Sequence, residues 1–291
     1  MNNLVEYPSN SETNGADVND KTNNISIGID SSATNDNDIS VGKSANSLGG
    51  NSISIGTNSN ASNENSIAIG YSSVSTAQSS SSLGSESNAS GIHSVAIGIK
   101  ALTNDQTTFA LGFNSQALGK HSVSIGTNSK ASAQTAFALG AESEATGSSS
   151  TAYGYNANAT GDNSLAFGAN SVASGESSIA IGYNSNSSHN NSISIGSNTS
   201  TSKENEIVLG TSDDTVIIEK EDGLKFYDSE SDQTKNISLI PTKIDDTEDI
   251  LDEIGLYNGQ IKFNSSSMFI WQFSDYNKSL GNWWKVSSLK K

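Results

Sequence analysis

The chain has 291 residues, of which 33% are hydrophobic and 16% charged, and it holds no cysteine. Its net charge is -16, with fifteen basic residues, all lysine. These values exclude a disulfide framework or thiolate chemistry. They also oppose nucleic-acid partners and anionic membrane surfaces, which need clustered cations, and the scarcity of large apolar side chains argues against an ordinary globular core.

The first 22 residues are polar. Met1 to Asp20 contains no apolar run of the kind a signal peptide needs. With Met1 taken as the natural start, this predicts a chain that does not follow the general secretory route. No segment approaches the ~20 apolar residues of a membrane-spanning helix, so no membrane insertion is expected.

From residue 23 a repeat takes over. Glycines recur every 14 residues at Gly28, Gly42, Gly56, Gly70, Gly84, Gly98, Gly112, Gly126, Gly140, Gly154, Gly168, Gly182, Gly196 and Gly210. The residue before each is large and apolar, such as Ile27, Leu83 and Phe167. Three residues before is again apolar, as at Ile53 and Phe109, with Ser81 and Thr151 as exceptions. Between them lies Ala or Ser in thirteen of the fourteen rungs. This alternation predicts a strand. Three and five residues after the glycine come small residues again, such as Ser59 and Ala61, which predict a second short strand. Seven residues after it, Gly, Asn or Asp is frequent (Gly91, Asp105, Gly119), the types a positive-φ turn uses. Strand, turn, strand, turn, repeated without insertion, predicts an all-β roll of fourteen rungs in two parallel sheets, about 65 Å long.

Two assignments of the faces stay open. In the preferred one, the apolar pair fills the interior against the small residues of the other sheet. The small residue between the pair then points outward to sister chains around a trimer axis. On that reading Ala68, Ala96, Ala110, Ala138, Ala152, Ala166 and Ala180 are interface residues. In the other assignment, the apolar pair faces the axis and the small residue faces inward.

The segments HSVAIGIKALTNDQTTFALGFNSQALG and NSLAFGANSVASGESSIAIGYNSNSS resemble the YadA-like head repeats of trimeric autotransporter adhesins. The resemblance spans residues 23–210. It implies a left-handed parallel β-roll, a homotrimer and an adhesive role, with no catalytic residues. Repeats of this type also occur in phage and viral fibres.

After Gly210 the composition shifts. Ten of the nineteen aromatic residues lie between Phe226 and Trp284. Residues 211–241 are expected to form a β-hairpin connector, 242–255 a short helical neck, and 256–291 an aromatic β module. That last segment resembles the small β module ending many phage and viral fibre proteins. Trp271, Trp283 and Trp284 either stack on receptor sugars or form the core of this module.

Other candidates are weaker. His93 and His121 share one place in the repeat, where a trimer would gather three imidazoles around a metal or anion; exposed turn histidines are the simpler reading. The acidic run Asp245 to Glu253 lacks the spacing of a calcium loop, and no GxSxG elbow accompanies the abundant serine. No enzyme activity, cofactor or metal is therefore expected. The sequence points instead to a virion or tail fibre that attaches to a host receptor, glycan or protein, with the N-terminal segment docked to a particle attachment protein. A bacterial surface adhesin head is the alternative.

Overall fold

The computed structural model describes residues 23–214, 261–263, 267–274 and 277–288. The chain divides into two units, residues 1–219 and 220–291. In the first unit, fourteen three-residue strands, from Ile25–Ile27 to Ile207–Leu209, form one parallel sheet in sequence order. Twelve two-residue strands, from Ser32–Ala33 to Asn186–Ser187, form the second. A last bridge joins Asn186 to Ser200, so the fourteenth rung is a long strand alone. Every pairing shifts by 14 residues: Val95 lies beside Phe109, and Ala117 beside Ala131.

The face assignment preferred from sequence is reversed. Ala68, Ala96, Ala110, Ala138, Ala152, Ala166 and Ala180 are completely buried inside the single chain, while the large residues flanking them lie half-buried or exposed outside. The reason is volume. Strands of two and three residues joined by tight turns enclose a lumen only wide enough for short side chains. Four columns line it, at 4 and 2 residues before the glycine and 3 and 5 after it, and almost all are Ala, Ser or Thr. The largest fully buried side chains there are Thr103, Thr108 and Thr199.

Hydroxyls in this lumen bond across it. Ser54 meets Ser59 at 2.7 Å, and Ser59 donates to the turn carbonyl of Gly56 at 2.8 Å. Ser47–Ser52 and Ser75–Ser80 link the other pair of columns at 2.6 and 2.7 Å. Asp38 is the exception in charge. It is fully buried and accepts from the backbone N–H of Asn35 (2.9 Å), Gly50 and Ser52 (both 3.0 Å) and from the Ser52 hydroxyl (2.8 Å). Four donors meet a carboxylate that burial would otherwise penalise.

At Gly126 φ is +138°, and an added Cβ would sit 2.3 Å from the carbonyl oxygen of Gly140 on the next rung. The glycine seven residues later plays another part than expected. Positive φ falls elsewhere, on the second and ninth residues after the turn glycine (Asn128, φ 55°; His121, φ 60°). At Gly91, by contrast, a Cβ would meet the Asp105 carbonyl at 1.8 Å, so stacking rather than φ excludes a side chain in that backbone. Asparagines in the left-handed positions tie rungs together: Asn114 donates to Asn128 at 3.0 Å and Asn184 to Asn198 at 2.9 Å.

The last rung is closed by carboxylates. Backbone and hydroxyl hydrogen bonds from Ser202, then the Lys203 backbone and charge, hold Glu206 below its ordinary pKa; bonds from Thr211 do the same for Asp214. In the second unit, Ile261–Phe263, Ser267–Ser274 and Asn277–Ser288 form a three-stranded antiparallel sheet. The hairpin connector predicted for 211–241 falls almost wholly, and the neck for 242–255 entirely, outside the described residues, as does the N-terminal segment 1–22.

Three outcomes follow from this architecture. Gly126→Ala lowers rod stability by roughly 3 kcal/mol, because strain and overpacking add, read as a drop in the urea midpoint. Ser122, Ser150, Ser164 and Ser178 have buried hydroxyls without partners, since the residue five before each is Ala rather than Ser. Each Ser→Ala change there raises stability by about 1 kcal/mol, and the combined variant melts higher. Finally, Glu206 and Asp214 titrate lower folded than unfolded. Their contribution is complete above the unfolded carboxylate values near ~4 and is lost as pH falls through the lower folded values. Hydrogen exchange of the 206–214 amides should accelerate there before that of the central rungs.

Candidate interaction surfaces

The outer face of the long-strand sheet carries the large side chains that the lumen cannot hold. Two columns run its length, one before and one after the buried small residue. Ile55, Leu83, Leu111 and Ile195 are 37–38% exposed, and Phe167 and Leu209 are 46% and 51% exposed. Because rungs stack in register, like sits on like. Tyr153 and Phe167 stack with ring centroids 4.8 Å apart and planes within 7°. Ser81 and Thr151 are the only polar members of the first column.

A third column follows the turn glycine and is interrupted. Ile29, Tyr71, Ile99, Phe113, Tyr155 and Tyr183 stand out among Thr, Ser, Ala and Lys. The Tyr155 hydroxyl bonds to the Glu142 carboxylate, and that bond with the carboxylate's charge raises the phenol above its ordinary pKa. The short-strand sheet presents the opposite side. Its outer columns are mixed Asn, Ser, Thr and scattered charge, with Lys130 to Glu144 at 2.9 Å joining adjacent rungs. Lys100 and Glu86 do likewise at 3.7 Å. Both pairs are exposed and contribute little to stability.

The seven alanines expected at an interface thus line the lumen and touch no surface. The signal for the true surface was present in their flanking residues. His93 and His121 lie exposed on successive-but-one turns, each with its backbone N–H bonded to Gln78 and Gln106 of the preceding rung. Among the described residues, no group of three or more His, Asp or Glu side chains is placed to hold a metal ion, and no helix is long and apolar enough to cross a membrane. Trp271 lies on the strand Ser267–Ser274 and Trp283 and Trp284 on Asn277–Ser288; backbone register pairs Trp271 with Trp283 and Trp284 with Ile270.

The family model of the YadA head domain repeat matches residues 47–73, 75–101, 106–129, 117–143, 145–171 and 173–199, together half of the chain. Among solved structures, the collagen-binding domain of the Yersinia adhesin YadA is similar at 22% identity, over 63% of this chain and 78% of that one, with a TM-score of 0.28. No curated protein matches. Fourteen in-register rungs with a small-residue lumen and an outward apolar pair, matched by that family model, place the chain in the YadA head domain repeat family, as an adhesin-type head.

Proposed function

We propose that three copies of this chain assemble, apolar faces inward, into a rigid homotrimeric fibre that attaches its carrier to a host surface. The supporting observation is the apolar stripe that runs the length of the long-strand sheet, interrupted in one of its two columns only at Ser81 and Thr151. Contiguous exposed apolar surface of this extent is rare on a monomer and marks an interface. A lumen of Ala, Ser and Thr buries little apolar area per residue, so the chain gains its main hydrophobic stabilisation only when the stripe is covered. Three-fold closure covers it completely and leaves all chains parallel, with the polar sheets outside. Repeated weak contacts along such fibres would add up through avidity, against a receptor that is a glycan or a protein.

The carrier favoured is a phage or virus particle, with residues 1–22 docked to it. The support is the C-terminal segment, whose strand, aromatic strand and late tryptophans resemble the modules that end phage fibres. Trp271, Trp283 and Trp284 are then receptor-contact candidates. The second reading, a bacterial surface adhesin head, is supported by the family itself, whose name-giving adhesin is bacterial.

Light scattering on the purified chain should give the mass of three chains. Ile55→Glu, Ile97→Glu and Leu111→Glu combined should release monomers that keep their β circular dichroism. Ala68→Glu, Ala96→Glu and Ala110→Glu should unfold the rungs instead, because each buries an unpaired charge in a lumen with no room for it. A native chain that stays monomeric would sink the trimer. Antibody–gold labelling of particles and cells from the source decides the carrier: label on cell surfaces with none on particles transfers the assignment to the bacterial reading. Collagen, the ligand in the printed name of the Yersinia domain, is a direct binding probe.

A further inference from the structure

We propose that Asn60, Asn88, Asn158 and Asn186 are sites of covalent asparagine-linked glycosylation. All four occupy one place in the rung, the first residue of a short strand, four residues after the turn glycine. Each is followed two residues later by a hydroxyl: Ser62, Ser90, Thr160 and Ser188. Alternation along an extended strand puts the asparagine and that hydroxyl on the same outer face, with the buried Ala61, Ala89, Ala159 or Ser187 between them pointing into the lumen.

The carboxamides themselves single these four out. In each, Oδ1 is turned in against the sheet without a hydrogen-bond partner. The amide nitrogen is likewise bonded to no protein group. Between residues 23 and 214, the other asparagines in the same three-residue pattern are engaged. Asn24 is buried and donates to the Ala33 carbonyl at 3.1 Å. Asn190 accepts from the Glu176 N–H at 3.0 Å. Asn198 accepts from Asn184 at 2.9 Å and donates to the Ser197 hydroxyl at 3.2 Å. Asn24 and Asn198 commit an amide N–H to a protein acceptor and Asn190 commits its carbonyl oxygen, whereas neither end of the four carboxamides is committed.

Spacing agrees. Asn60 and Asn88 are separated by Val74, and Asn158 and Asn186 by Val172. Two rungs, about 10 Å, lie between the members of each pair, and an apolar residue sits where a sugar face would rest. The remaining asparagine of the column, Asn46, stacks directly on Asn60, where one rung of about 4.8 Å would crowd two sugars. It carries Leu48 in place of the hydroxyl, and its amide donates to the Ser44 carbonyl at 3.3 Å.

The reaction is transfer of a hexose from a nucleoside-diphosphate hexose by a separate transferase. The asparagine amide nitrogen bonds to the anomeric carbon. The bond from that carbon to the diphosphate oxygen breaks, the nucleoside diphosphate leaves with the electron pair, and the amide proton passes to a base of the transferase. The sites lie on the short-strand sheet, across the lumen from the apolar stripe, so they remain open whether or not the chains trimerise.

The test is peptide mapping by mass spectrometry of the protein purified from the cells or particles that bear it. The expected result is hexose on Asn60, Asn88, Asn158 and Asn186, with Asn24, Asn190 and Asn198 unmodified. The variant N60Q/N88Q/N158Q/N186Q, made in the same source, should lose all added mass while its circular dichroism and its mass by light scattering per chain stay those of the unmodified rod. Asparagines bare at all four positions would overturn the proposal, as would hexose spread equally over the engaged asparagines.

Discussion

Everything in the rod depends on one steric condition: each rung must lie flat on the last, so that backbone N–H and C=O groups meet at the spacing of a parallel ladder. From it come the glycines whose Cβ would strike the next rung, the left-handed turn residues that reverse the chain within three positions, and a lumen too narrow for anything beyond Thr and the hydrogen-bonded Asn24 and Asp38. The lumen in turn decides where the large residues go. Ile, Leu, Phe and Tyr sit outside because no space exists inside, and they gather on one face, that of the long strands.

This inverts the usual relation between a core and a surface. In a globular domain the hydrophobic effect selects which residues are hidden, and hydrogen bonds follow. Here the backbone ladder and the Ser–Ser and Ser–carbonyl bonds organise the single chain, while the large apolar groups that would carry the hydrophobic driving force lie on its outer face. The Tyr153–Phe167 stack illustrates this. It forms along the axis of one chain, on a surface that the proposed trimer would cover.

The period of 14 made the rungs, both sheets and their parallel register legible, because no insertion interrupts it. The direction of the faces was not legible from the long strand alone. Large-small-large alternation shows that two faces differ; it does not say which is inside. The residue four before the glycine carried the missing information. Ser66, Ser94 and Ser122 share the parity of Ala68, Ala96 and Ser124, and together with the small pair of the short strand they make every lumen column small. Likewise the positive-φ positions were hidden among Asn, Ser, Glu and His, residue types that left-handed turns tolerate without being unique to them. The apolar surface is in view in the sequence, where its alternation suits a core equally well.

The absence of any insertion between Gly28 and Gly210 has a genetic side. Since each rung contacts only its neighbours and every cross-section is alike, the reading frame can gain or lose a unit of fourteen codons and still encode a closed rod. Gain or loss of one repeat would therefore change reach by a single rung while leaving both flanking segments untouched. A gene of this form carries an adjustable ruler, and populations descended from one ancestor should differ in the length of the rod sooner than in its shape.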